Sequence, residues 1–219
     1  MIRIHTILTG QPRTVSDERG TWRSAIFRTP VDGPIELHLR GLTHDQVSDT
    51  EHHGSPDQAV CCHPLDHYAA WNEEYKLNTP DQVLDAGAVG ENWTLSGATE
   101  RDLHIGDVFA VGTARVQVTG PRYPCTKQER KLQLPNFHKR TIETMRTGLY
   151  LRVLTPGTVQ AGDLWLLEDR PQPYITVHDV NVCAHQSFDP EVAQRLIEVP
   201  ELSAGWKRIL EMMLRKQWA

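Results

Sequence analysis

Gly106–Gly120 reads GDVFAVGTARVQVTG. Val108 to Val111 make a short apolar run, Gly112-Thr113 supplies a two-residue turn, and Ala114 to Val118 alternate apolar with polar side chains. Alternation with a period of two puts one face of a strand in a core and the other in water, and a glycine between two such runs predicts a β-hairpin. The same texture recurs on both sides. RIHTILTG (3–10), PIELHLRGL (34–42), QAVCCHP (58–64) and GLYLRVLTPG (148–157) are apolar or β-branched segments of strand length, bounded by Gly, Pro and Asp. Pro156-Gly157 predicts a turn, with LWLLE (164–168) as the return strand. The body is therefore expected to be mostly β.

Helical spacing is local. PLDHYAAWNEEY (64–75) places Leu65, Tyr68 and Trp71 at helical steps, with Asp66 near the helix start, and PNFHKRTIETMRTG (135–148) is a second candidate ending at Gly148. The proline-rich stretch DRPQPY (169–174) predicts a boundary, giving a β domain over 1–170 and a small helical domain over 171–219. In the latter, Asp189-Pro190 opens one helix and Ser203 caps another. Trp206, Ile209, Leu210, Met213, Leu214 and Trp218 form the apolar stripe of that last helix, to be packed on the body or on a second subunit.

Immediately after the hairpin comes GPRYPCTKQER (120–130). Pro121 and Pro124 stiffen the backbone around Cys125, while Arg122, Lys127, Arg130 and Lys131 surround it with positive charge. Nearby cations favour thiolate, the form needed by a nucleophile or a soft-metal ligand, and a structural cysteine beside a charged loop fits the same residues. Cys61, Cys62 and Cys183 suit buried, reduced thiols, with no CxxC spacing for a structural zinc site.

Two further groups carry polar chemistry. His44, Asp45, His52, His53, Asp57 and His63 are irregularly spaced, compatible with a transition-metal site or with a solvated loop. Gly90, Glu91 and Asn92, followed by Gly106 and Asp107, suit tight turns and polar contacts. A formal charge of −5 over 219 residues argues against general attraction to nucleic-acid polymers or anionic lipid. No apolar run reaches the roughly 20 residues of a membrane span, and MIRIHTILTG lacks a secretory cleavage site, so a soluble, cytoplasmic protein is expected.

Taken in order, HHGSPDQAV (52–60), GENW (90–93), HIGDVFAVG (104–112), PRYPCTK (121–127) and TGLYLRVLTPG (147–157) resemble the MOSC domain, named after the C-terminal part of molybdenum cofactor sulfurases. The whole chain is similar to the bacterial YiiM-like group that confers resistance to 6-N-hydroxylaminopurine and carries a three-helix C-terminal domain. That resemblance implies a MOSC-type β-barrel with peripheral helices, followed by a small helical domain. It implies a molybdenum–molybdopterin cofactor with Cys125 as the metal's protein ligand. Arg122, Lys127, His53, Gly90, Glu91, Asn92 and Arg152 are implied as cofactor-binding residues, and His53 as a catalytic partner of Cys125. Where the family usually has a second glycine, a lysine and a basic residue, this chain has Ser55, Glu51 and Gln58.

The implied activity is reduction of N-hydroxylated small molecules or bases, with N–O cleavage giving the amine or amidine. Because neither an iron–sulfur spacing nor a GxGxxG fingerprint occurs, an external flavin or iron–sulfur electron donor is expected. The same group implies a homodimer. Two alternatives stand beside this: a non-catalytic molybdopterin carrier or sensor, and a hydrolase using Cys125 as nucleophile.

Overall fold

The computed structural model describes residues 1–49 and 54–217. In chain order the elements are β1 (Arg3–Thr9), β2 (Arg13–Asp17), β3 (Gly20–Ser24), β4 (Thr29–Pro30), β5 (Ile35–His38), β6 (Gly41–Leu42), β7 (Val60–Pro64) and α1 (Asp66–Tyr75). There follow β8 (Trp93–Ser96), β9 (Val108–Val111), β10 (Ala114–Pro121), α2 (Thr126–Leu132), α3 (Phe137–Thr144), β11 (Leu149–Thr155), β12 (Gly157–Val159) and β13 (Trp165–Asp169). The chain then turns helical: α4 (Val177–His185), α5 (Pro190–Glu198) and α6 (Ala204–Gln217).

The expected hairpin is present. β9 and β10 pair antiparallel from Val111↔Ala114 to Val108↔Gln117, leaving Gly112-Thr113 as the turn. Gly112 has φ +56, and a Cβ there would stand 2.3 Å from the Thr158 carbonyl oxygen. Along β10, Ala114, Val116 and Val118 are buried while Arg115 is exposed, the alternation read from the sequence. β7 is buried at every residue, as a central strand covered on both faces must be.

An eight-stranded sheet runs β13-β9-β10-β11-β7-β8-β1-β4, with β12-β5-β6 and β2-β3 as smaller sheets. Only β7 and β8 pair in parallel, joined through α1. Irregular registers along β10–β11, β1–β8 and β9–β13 bend the large sheet. The expectation of a mostly β, closed barrel is corrected here. The fold is mixed α/β, and the curled sheet is an open half-barrel. Its ends meet through one bridge, Arg3↔Leu164, with Trp165 N donating to Ile2 O at 3.0 Å and Ile4 N to Asp163 O at 3.0 Å. The physical reason lies in β1: its far half spends the free edge on β4, through Leu8↔Pro30 and Thr9↔Thr29. No continuous ladder can then form with β13.

Two local expectations also change. The strand after Pro156-Gly157 does not return along β11: β12 pairs with β5, and β13 crosses to β9. Residues 126–132, read as a charged loop, form α2. The terminal helices follow the sequence closely. Asp189 caps α5 through Glu191 N and Val192 N, and Ser203 Oγ accepts from Trp206 N at 3.3 Å. The three-helix bundle packs on the sheet, so that Val177, Val180, Leu196, Trp206 and Leu210 share one hydrophobic core with Val116, Val118 and Leu149. Arg170, in the stretch leading to it, pairs with buried Asp107 at 2.7 Å. No helix among the described residues is long and apolar enough to cross a membrane.

Gly112→Ala is expected to destabilise the protein by about 2 kcal/mol, because a side chain must then occupy a left-handed turn against backbone. Thermal unfolding followed by circular dichroism should show a midpoint about 4–8 °C lower; an unchanged midpoint would mean the turn tolerates a Cβ.

Candidate functional site

Three adjacent strands set out the floor of the site. Gly120 of β10 lies opposite Tyr150 of β11, and Tyr150 lies opposite Cys61 of β7. Cross-strand partners share a face, so Tyr150 and Cys61 stand together while Cys62 and Leu149 turn into the core. Past Gly120 the chain rises over this row. Arg122 N donates to Gly148 O at 3.0 Å, and Cys125 follows in extended conformation, φ −135 and ψ 125, before the first turn of α2. The two prolines thus present a half-buried thiol at the rim rather than within the core.

The resulting cavity has a volume of about 490 Å³. Its walls come from distant parts of the chain: Ser24 and Ile26 at the end of the β2–β3 hairpin, Gly54 and Gln58, Gly90 and Asn92, and Tyr123 and Tyr150. Cys61 and Cys125 both line it. Among the described residues, so do four cations, Arg28, Arg40, Arg122 and Lys127, and one carboxylate, Asp45. A protein of net negative charge has therefore gathered positive charge at this hollow, which suits an anionic ligand.

Arg122 is the most deeply placed of these cations, 7% exposed. One terminal nitrogen donates to Val89 O at 2.9 Å, while Nη1 is buried without a partner among the described residues. Burial opposes its charge, but the thiols of Cys61 and Cys125, the Tyr150 phenol and Glu91 hold its pKa above the ordinary arginine value. Burial also raises the pKa of the Cys61 thiol, with Arg122 and Arg28 pulling the other way. Gln58 Oε1 is another buried polar atom lacking a partner among the described residues. A buried donor and a buried acceptor left unpaired on one cavity wall are groups that a ligand can satisfy.

Other predicted residues are engaged in holding the cavity together. Glu91 is fully buried and turned inward, its Oε1 accepting from Tyr68 Oη at 2.6 Å, Thr94 Oγ1 at 2.7 Å and Gly87 N at 2.8 Å. Gly90 needs its missing side chain: at φ +75 a Cβ would lie 2.2 Å from Ile26 Cγ1. Asn92 lines the wall but spends its amide on Cys61 N, Leu8 O and Asp45. Arg152 is outside the lining, bound to Asp57 and Gln117. His53 lies outside the described residues, as do Glu51 and His52. The remaining members of the His/Asp group disperse: Asp57 pairs with Arg152, and His63 is buried beside Tyr68 with ring centroids 5.1 Å apart. No cluster of three metal-ligating side chains occurs among the described residues.

Sequence reading missed Arg28. Its Nε and Nη2 contact Asp45 at 2.8 and 2.9 Å, and Nη1 donates to Gly90 O at 2.6 Å. Asp45 is 17 residues away and Gly90 is 62, so no local motif announces the pair. Tyr150 and Cys61 were recoverable from strand alternation, but only with the β11–β7 register known. On α2, Arg130 grips Asp17 of the β2–β3 hairpin, bringing that carboxyl down to about 2. Lys131 donates to Gly87 O at 2.7 Å, and burial lowers its pKa to about 8.

A curled half-barrel sheet thus carries a cysteine loop over a cationic hollow, with three helices packed against it. The MOSC domain model matches residues 49–164, and the YiiM-like, 3-alpha helix domain model matches 175–217. The chain belongs to the MOSC family and has the YiiM-like two-part architecture. It is 34% identical over 199 residues to protein YflK of Bacillus subtilis (strain 168), covering 90% of this chain and 88% of that one. A protein named Reductase in Gibberella moniliformis (strain M3125 / FGSC 7600) is 35% identical over 163 residues, which span 74% of this chain and 28% of that protein. The crystal structure of YiiM from Geobacillus stearothermophilus superposes with a TM-score of 0.82 at 32% identity, covering 98% of this chain and 100% of that chain.

Two outcomes test this wiring. Arg28→Met leaves Asp45 without its cation and should cost about 3 kcal/mol, whereas Arg28→Met with Asp45→Asn should cost less than the sum of the single changes; chemical unfolding of the four proteins checks the coupling, and strict additivity would contradict it. Lys131 releases its proton at about 8 when folded against 10.5 as an ordinary lysine, so the unfolded chain holds more protons in that window. Stability should therefore rise as pH increases between those values, and urea midpoints of Lys131→Met should lack this rise.

Proposed function

We propose that the cavity binds a molybdenum–pterin cofactor through Cys125 and that the protein reduces N-hydroxylated small molecules or bases to the corresponding amines or amidines. The observation that carries this is the meeting of the Cys125 thiol and the unpartnered Nη1 of buried Arg122 on one cavity. The residues present fit the group: a thiol suits a soft, sulfur-rich metal, and Arg122, Lys127, Arg28 and Arg40 suit its anionic part. Kinship with a protein named a reductase supports the direction of the chemistry.

When bound, the cofactor supplies the two-electron couple for breaking the N–O bond. The reaction takes two electrons and two protons and gives R–NH2 and water from R–NHOH. The chain's own contribution is placement. Cys125 would hold the metal, Arg122 would take a cofactor anion with its free Nη1, and Lys127 would add charge at the rim. Gly90 lets the wall approach closely, and Tyr150 offers a flat face beside Cys61 to an aromatic base. His53 is proposed to pass a proton to the departing oxygen, since an imidazole with a reference pKa of about 6.5 exchanges protons near neutrality. Electrons are proposed to come from an external flavin or iron–sulfur protein, in the cytoplasm, with the reductase acting as a homodimer built of a domain over 1–170 and another over 171–219.

Expression in cofactor-producing and cofactor-deficient hosts tests the proposal through molybdenum content, released pterin and reductant-driven loss of a hydroxylaminopurine. The parent should carry metal and turn over only from the first host. Cys125→Ser should fold normally and lose turnover by at least about a hundredfold, since even outer-shell changes cost up to that much. Bound metal without turnover would identify a carrier, and activity in metal-free protein that alkylation of Cys125 abolishes would identify a hydrolase.

A further inference from the structure

The C-terminal bundle does more than cover the sheet. Its last helix begins against two chain segments that border the cavity. In one of them, Ser203 N donates to Thr119 O at 2.9 Å and Trp206 Nε1 donates to Pro121 O at 2.7 Å. Gly120 makes room for that indole, since with φ +149 a Cβ there would stand 2.7 Å from Trp206 Cδ1. Tyr123, two residues before Cys125, packs its ring on Trp206 with centroids 4.9 Å apart and planes 34° apart. Gly205 is seated so tightly under it that a Cβ would lie 2.2 Å from Tyr123 Oη. In the other, which Thr119 Oγ1 joins through Asp57 O at 2.6 Å, Asp57 Oδ2 accepts from Ala204 N at 3.0 Å, and Gln58, the next residue, lines the cavity.

Pro121 to Pro124 is a short, stiff tether between the β10 ladder and Cys125. Trp206 fixes one end of it by a hydrogen bond and its middle by an aromatic contact. Trp206 itself is 1% exposed and does not line the cavity. We propose that Trp206, with Gly205 beneath Tyr123, is a positioning residue for Cys125, so that the helical bundle sets where the thiol stands. This rests on the assignment of Cys125 to the cofactor, and its test is independent of cofactor.

Trp206→Phe keeps a ring against Tyr123 and removes the donor to Pro121 O. Gly205→Ala raises the intrinsic helix propensity of α6 while driving a methyl group into Tyr123. Leu196→Ala, in α5, weakens the core of the same bundle while leaving the 120–125 segment, Gly205 and Trp206 unsubstituted. In cofactor-free protein held well below its unfolding temperature, alkylation of Cys125 by iodoacetamide, followed by peptide mass, should run about fivefold faster in Trp206→Phe, the equivalent of one lost hydrogen bond. Gly205→Ala should shift the rate too, and Leu196→Ala should leave it at the parental value despite a lower thermal midpoint. Parental rates in both Trp206→Phe and Gly205→Ala, or an equal acceleration in Leu196→Ala, would overturn the proposal. In protein made with cofactor, molybdenum retained after dialysis should fall in the Trp206 variant. If even the parent holds none, the cofactor assignment fails while the alkylation comparison still decides the positioning role.

Discussion

Asp45 accepts hydrogen bonds from Gly10 N, from two nitrogens of Arg28 and from Asn92 Nδ2. A carboxylate removed from water is costly unless its lone pairs are filled, and here charge and geometry fill them together. Asn92 then carries the connection to Cys61, and Arg28 carries it to Gly90. One half-buried anion thereby fixes the distance between the first loop, the Gly-Glu-Asn turn and the central strand β7. The cavity exists because these segments are held apart as well as together. Apolar packing alone has no directional preference and would tend to close such a space.

Binary patterning made much of the fold legible. The β9–β10 hairpin, the fully buried β7, the helix after Asp66 and the capped terminal helices all follow from side-chain period, turn chemistry and capping residues. Closure of the sheet was not legible, because it depends on whether β4 or β13 takes the free edge of β1, and strand sequences do not specify neighbours across such distances. α2 was hidden by its charges: Lys127, Glu129, Arg130 and Lys131 look like a solvated loop until Asp17, Gly87 and His138 are seen to receive them. Likewise Cys125, Arg122 and Lys127 were visible as a local motif, whereas Arg28 and Tyr150 enter the site only through long-range pairing. Glu91 shows the reverse case. Its place in a motif suggested ligand contact, and its full burial with three donors makes it a brace for the turn.

The division of labour within the site is physical. Residues whose polar groups are spent on the protein, such as Asn92 and Arg152, give rigidity. Residues that line the cavity with a buried polar atom left open among the described residues, Arg122 and Gln58, are the ones available to a ligand. Keeping the two sets distinct is what preorganisation requires, since a group already bound to protein cannot be offered to a ligand without a penalty. Gln58 fits this view, because it offers a neutral acceptor on a cavity that four cations line among the described residues.

The seat of α6 on Asp57 and Pro121 has a consequence for biosynthesis. About 80 residues separate Cys125 from Trp206, and at about 5–20 residues per second a ribosome needs several seconds to add them. During that interval the nascent sheet carries an unfinished rim and a thiol open to oxidants. The surroundings of Cys125 are therefore complete only once α6 has docked, and a cell that makes this protein benefits from keeping newborn chains reduced until then.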